Sequence, residues 1–205
     1  VGKTTLLNKL IADIGKTKKL GLTSIGRDGE DIDVVTNTDK PRIYVREGSI
    51  IATGRNCLAK CDITKEILYV TNFTTPMGSI VLVRALSDGY VDIAGPSYNK
   101  QVKIVVELME KFGSEISIVD GALGRKSTAI SDVSEATILS TGAALSLDML
   151  KVVEETKKTV YFLRLEEIDK NIKEKIKEFK DEKAVLFYKN GEVAILEVDN
   201  SIDLS

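Results

Sequence analysis

Gly2-Lys3-Thr4-Thr5 stands directly ahead of Leu6, Leu7, Leu10, Ile11 and Ile14, an apolar series at helical spacing. That order of residues suits the holding of phosphate. A helix start turns unpaired backbone N–H groups and the positive end of its dipole toward an anion. A lysine beside it neutralises the outer phosphates, and a threonine hydroxyl completes a Mg²⁺ shell. Gly2, Lys3, Thr4 and Thr5 are therefore the candidate nucleotide-binding residues, and Thr4 is also a candidate metal ligand. The full pattern needs another glycine five residues before Gly2, at a position outside this sequence. The chain is accordingly read as opening inside its own phosphate loop.

A phosphate loop needs an acid to hold its metal. Ile116-Ser117-Ile118-Val119-Asp120 reads as a buried strand that ends in a carboxylate, the arrangement that places an acid at a strand's C-terminal edge beside Mg²⁺. Asp120 is the first candidate catalytic and metal-binding acid, although many strands end in aspartate only to make a turn. A second polar loop, Gly26-Arg27-Asp28-Gly29-Glu30-Asp31, follows the next strand and offers Asp28, with Glu30 as substitute, as a second Mg²⁺-shell or water-orienting acid. It also reads as an exposed loop. The chain contains no histidine, which removes the commonest general base and every Ser-His or Cys-His pair. Its chemistry must rest on carboxylates, lysine, arginine, hydroxyls, a metal ion or backbone amides.

These groups need elements to hold them. Gly15 should stop the first helix, and residues 20–25 form a strand. Residues 42–45 and 49–53 read as a hairpin across Arg46-Glu47-Gly48. Further short strands are expected over 66–71, 79–86 and 90–94, then an amphipathic helix over 98–112 that Gly113 ends. Gly95-Pro96-Ser97 reads as a connection with Ser97 as N-cap. A short strand over 136–140 and a helix over about 145–155 follow, separated by Thr141-Gly142, a position open to base contact or close packing. Residues 159–165 read as a strand, 166–180 as a charged helix, and 183–198 as a hairpin turning at Asn190-Gly191. The pattern predicts an α/β fold with a mixed, largely parallel sheet, helices on both faces and antiparallel hairpin additions. Residues 1–165 form the main domain, with 166–205 packed on it.

Composition narrows the partners. The formal charge is -2, from 29 basic and 31 acidic residues, which gives no global field for nucleic acid or anionic lipid. No apolar run reaches the ~18 residues that would cross a bilayer. Cys57 and Cys61, four residues apart, read as two reduced thiols in a cytoplasmic protein. A homodimer is compatible with the sequence.

Several strings, in order, resemble one family. Gly-Leu-Thr-Ser-Ile-Gly-Arg-Asp-Gly-Glu (21–30), Ile-Ala-Gly-Pro-Ser (93–97), Ile-Val-Asp-Gly-Ala (118–122) and Leu-Ser-Thr-Gly-Ala-Ala-Leu-Ser (139–146) are similar to the small P-loop reactivase subunit of lysine 5,6-aminomutase. The similarity covers about residues 1–157. It implies a P-loop NTPase-like ATPase with ATP and Mg²⁺ as cofactors. The resemblance also implies an adenosylcobalamin-dependent aminomutase and a second ATPase subunit as partners. Lys3, Thr4 and Asp120 carry over as nucleotide and Mg²⁺ groups. The segment Val-Asp-Gly-Ala-Leu-Gly-Arg also resembles dethiobiotin synthetase-like enzymes, which implies that Arg125 could face a phosphate, a surface arginine being the other reading, and a small-molecule kinase or ligase as an alternative. A P-loop-derived scaffold without catalysis is a third reading.

Overall fold

A computed structural model of the chain describes residues 2–26, 42–121, 134–165, 168–182 and 184–197. They fall into two compact units, Val1–Leu163 and Arg164–Ser205. Each is described by itself.

The first unit is built on a five-stranded mixed sheet. Its strands are β1 (Leu20–Ser24), β3 (Ile50–Gly54), β4 (Lys65–Thr75), β5 (Gly78–Ala85) and β7 (Ile116–Asp120), in the order β4-β5-β3-β1-β7. β1 runs parallel to both β3 and β7, whereas β5 is antiparallel to β3 and β4. A separate ribbon pairs β2 (Ile43–Val45) with β6 (Gly89–Val91).

The period-2 pleat sorts side chains to two faces. Leu20, Leu22, Ile51, Val81 and Val83 pack with Leu7 and Ile11 of helix α1 (Lys3–Ile14). Ile50, Ala52, Ile80 and Leu82 point the other way, against Val105 and Met109 of helix α2 (Asn99–Lys111). Each such aliphatic side chain contributes on the order of 1.5–3 kcal/mol on burial. The fold is thus α/β, with α1 on one face of the sheet and α2 on the other.

The parallel strands fix helix direction. Because α1 leads into β1 and α2 leads into β7, both helices run back along the sheet, and both start at the end where β1, β3 and β7 finish. Parallel neighbours require a crossover, and α2 lies on the one that leads from β1 to β7.

Local expectation and structure differ in several places. The strands at 43–45 and 50–54 do not form a hairpin together: β2 pairs with β6, while β3 enters the main sheet between β1 and β5. Local turn chemistry at Gly48 marked the bend but not the partner. The strand ending in Asp120 is not buried. At the edge of the sheet among the described residues, it leaves Ile116 exposed and residues 117–120 half-buried. No strand forms over 136–140, where most residues are exposed. Helix α3 (Met149–Leu163) starts later than expected and absorbs 159–163, which read as a strand because its β-branched and aromatic residues also satisfy a helical stripe. Only Val152 of α3 is buried.

In the second unit, α4 (Lys170–Ile176) continues into a 3-10 turn over Lys177–Phe179 and is shorter than the helix expected over 166–180. The hairpin joins β8 (Val185–Phe187) and β9 (Val193–Ile195) around Asn190-Gly191. Asp169 caps α4 by accepting from the Asn171 amide at 2.8 Å.

Two contacts brace the first unit. Glu115 accepts from Lys18 Nζ at 2.8 Å and from the Lys19 amide at 2.9 Å, tying the entrances of β7 and β1 together. The Lys18 hydrogen bond, then the Lys19 amide, holds the Glu115 carboxyl below its ordinary pKa. At the other end Gly95 lies against β1: a Cβ there would sit 1.8 Å from the Ser24 carbonyl oxygen.

Replacing Gly95 with alanine should therefore lower stability by about 3 kcal/mol or more, since backbone must move. Gly142→Ala, where a Cβ meets nothing within 4 Å, should stay within about 0.5 kcal/mol of the parent. Urea titration of both variants checks the contrast. A depressed carboxyl contributes stability above its unfolded pKa of about 4.3, and that contribution is lost as pH falls through its lower folded value. Between about pH 5 and pH 3 the Glu115→Gln variant should consequently lose less of its urea midpoint than the parent.

Candidate functional site

The site lies where β1, β3 and β7 end. Gly2 opens α1 in a left-handed conformation (φ 84°), which favours glycine, and its carbonyl accepts the first helical hydrogen bond from Leu6 at 2.8 Å. The first turn carries no acidic side chain. Lys3 and Thr4 are half-buried, whereas Gly2 and Thr5 are exposed.

Lys3 reaches 118 residues along the chain: its Nζ donates to the Gly121 carbonyl at 2.7 Å. The start of α1 and the end of β7 are thereby one locus, as the sequence reading requires. Asp120 closes β7 and is the register partner of Ser24, the last residue of β1. Its carbonyl accepts from the Ile25 amide at 2.9 Å. Ile118 packs on the α1 side of the sheet, so the pleat sends Asp120 to that same side.

A wall stands beside this locus over β1 and β3. Residues 92–96 cross the ends of the two strands, held by side-chain hydroxyls. Ser24 Oγ accepts from the Gly95 amide at 2.9 Å and donates to the Ile93 carbonyl at 3.4 Å. Thr53 Oγ1 accepts from the Ala94 amide at 2.9 Å and donates to the Asp92 carbonyl at 3.1 Å. The Gly26 amide then donates to the Pro96 carbonyl at 3.0 Å. Sequence reasoning missed Ser24 and Thr53, and its one available signal was a hydroxyl at the last inward-facing position of each strand. Ser97 is not the N-cap; Tyr98 holds that place, without a side-chain cap.

Asp28 and Arg125 fall outside the described residues. Among the described residues no group of three or more His, Cys, Asp or Glu could hold a metal. Mg²⁺ needs no such cage. It keeps several waters and takes one or two protein oxygens with those of a phosphate, so Thr4 and Asp120 suit it. Cys57 and Cys61 lie in a 3-10 turn over Arg55–Lys60 and at its end. Neither is in a disulfide, and burial raises the Cys61 pKa, which disfavours the nucleophilic thiolate.

A shallow cavity of about 230 Å³, lined by residues 15–19, Glu47, Ser49 and Glu115, lies at the opposite end of β1 and β7. Its Glu115 is already bonded to Lys18 and Lys19. The chemistry-bearing residues are elsewhere.

No family model, curated protein or solved structure matches the chain. Fold and site define an α/β protein whose candidate ligand site lies at the C-terminal edge of parallel strands. No described helix is long and apolar enough to cross a membrane.

The β7 ladder offers a direct check. Alternation turns the N–H and C=O of Ile116, Ile118 and Asp120 toward β1, and those of Ser117 and Val119 outward. No other strand pairs with β7 among the described residues. Amide exchange followed by NMR should be at least about tenfold faster at Ser117 and Val119 than at Ile118 and Asp120.

Proposed function

We propose that this chain carries the ATP site of a P-loop-type ATPase switch, an ATP-dependent reactivating factor for an adenosylcobalamin-dependent aminomutase. The observation that carries the nucleotide part is the 2.7 Å hydrogen bond from Lys3 Nζ to Gly121, which brings a Gly-Lys-Thr helix start to the end of an acid-terminated parallel strand. The reactivase part rests on the four resemblance strings, and the described parts of three of them, at 21–26, 93–97 and 118–121, lie at the same edge.

In this reading the Lys3 ammonium has three donors, spends one on Gly121 and offers the others to phosphate oxygens. The first-turn amides of α1 add dipolar attraction. The Thr4 hydroxyl and the Asp120 carboxylate hold Mg²⁺ and its water shell, with Asp28 as a further acid and Arg125 as a further phosphate contact. ATP, when bound, supplies the phosphoryl group and the free energy that changes the partner's conformation. An aminomutase and a second ATPase subunit are the partners, with no nucleic acid or membrane; Cys57 and Cys61, neither in a disulfide, support a cytoplasmic setting.

A kinase or ligase acting on a small carboxylate is the second reading, favoured by the Asp120-Gly121 strand end and the resemblance that follows it. Catalysis separates them. A switch hydrolyses ATP slowly and is stimulated by a protein partner, whereas a kinase consumes ATP only with a small acceptor.

Calorimetry of the intact protein with MgATP tests the proposal. Lys3→Ala should weaken binding at least about tenfold, or 1.4 kcal/mol, with its circular dichroism unchanged. Absence of binding by the parent protein at millimolar MgATP sinks the nucleotide reading.

A further inference from the structure

Residues 92–96 are more than a connection to α2. The hydroxyls of Ser24 and Thr53 act on them as a clamp, each accepting from one backbone amide and donating to one backbone carbonyl of the segment. Both hydroxyls are buried, Thr53 completely. The Gly54 amide adds a bond to the Ala94 carbonyl at 2.9 Å, and Gly95 fits only because it lacks a side chain.

The clamp stands on the face and at the edge that carry the candidate site. Leu22 and Ser24 share one side of β1, and Ile51 and Thr53 one side of β3; Leu22 and Ile51 pack with α1. Ser24 is the register partner of Asp120. Adjacent strands lie about 4.8 Å apart, so the clamped segment stands roughly one to two strand spacings from the carboxylate.

Resting on the nucleotide reading, we propose that Ser24 and Thr53 are positioning residues. They hold residues 94–96 as the rigid wall of the phosphate site on the β1–β3 side. A loop fixed by two-way hydroxyl bonds pays no ordering cost when ligand arrives, and that preorganisation shows in affinity. Loss of a hydroxyl frees the wall and weakens binding, while the residues that touch phosphate and metal stay in place.

The experiment compares Ser24→Ala, Thr53→Val, Thr53→Ser and Thr71→Val in the intact protein, with MgATP as probe. Thr71 is the control. Its buried hydroxyl donates to the Ile80 carbonyl at 2.9 Å and accepts from the Phe73 amide at 3.1 Å, on β4 at the far side of the sheet. All three hydroxyl deletions should lower Tm. Ser24→Ala and Thr53→Val should also raise Kd and KM for MgATP three- to tenfold with kcat changed less than twofold, on the order expected for one lost hydrogen bond. Thr53→Ser should return to within twofold of the parent, and Thr71→Val should leave KM unmoved. If Thr53→Val and Ser24→Ala shift Tm but leave KM where Thr71→Val leaves it, the clamp is structural alone. If Ser24→Ala does not fold, the Thr53 pair decides. A parent protein that binds no MgATP overturns the nucleotide reading and this role with it; binding with unmoved variants overturns this role alone.

Discussion

Parallel pairing of β1 with both β3 and β7 is the constraint on which the rest depends. Parallel neighbours cannot be joined by a tight turn, so the chain must return along the sheet between them; α2 makes the return into β7, and α1 likewise runs back along the sheet into β1. Their starts are thereby delivered to the strands' finishing edge. The first-turn amides of α1, Lys3 and Asp120 stand at that edge before any ligand is considered. The bond from Lys3 to Gly121 is the visible consequence.

What the sequence made legible follows the same division between local and non-local physics. The limits of α1 could be read because its apolar stripe, its opening Gly2 and its closing Gly15 are all local signals. The α2 helix and the Asn190-Gly191 hairpin were legible for like reasons. Pairing was not. Residues 43–45 and 50–54 are separated by a plausible turn, yet one strand joins Gly89–Val91 and the other enters the main sheet. Nothing local distinguishes a hairpin from two strands that part company. Residues 159–163 failed differently, because valine, tyrosine and phenylalanine favour strands on propensity while their spacing also serves a helix.

The candidate site was half legible. Lys3 and Asp120 announce themselves by type and by place at an element's end. Ser24 and Thr53 do not, since threonine and serine in a strand are ordinary, and their role exists only when residues 92–96 arrive from 39 or more positions away. Gly95-Pro96 carried a partial signal, a need for a small residue and a fixed turn. The reason for the glycine, a carbonyl oxygen where its side chain would lie, is a tertiary fact.

Charge completes the argument about the edge. A formal charge of -2 spread over 205 residues says little about any one place. Among the described residues at the ends of β1 and β7, positive contributions come from Lys3 and the N-terminal dipole of α1, whose first turn carries no acid, and α2 likewise starts without one. Asp120 supplies negative charge on the same face, at the last register position of β7. An anion alone is drawn by the first set, and a divalent cation by the carboxylate. A phosphate carrying Mg²⁺ satisfies both at once, which either partner taken singly does not. On the proposed nucleotide reading, the acid at the strand end is therefore no obstacle to anion binding at this edge, because the anion brings its own metal.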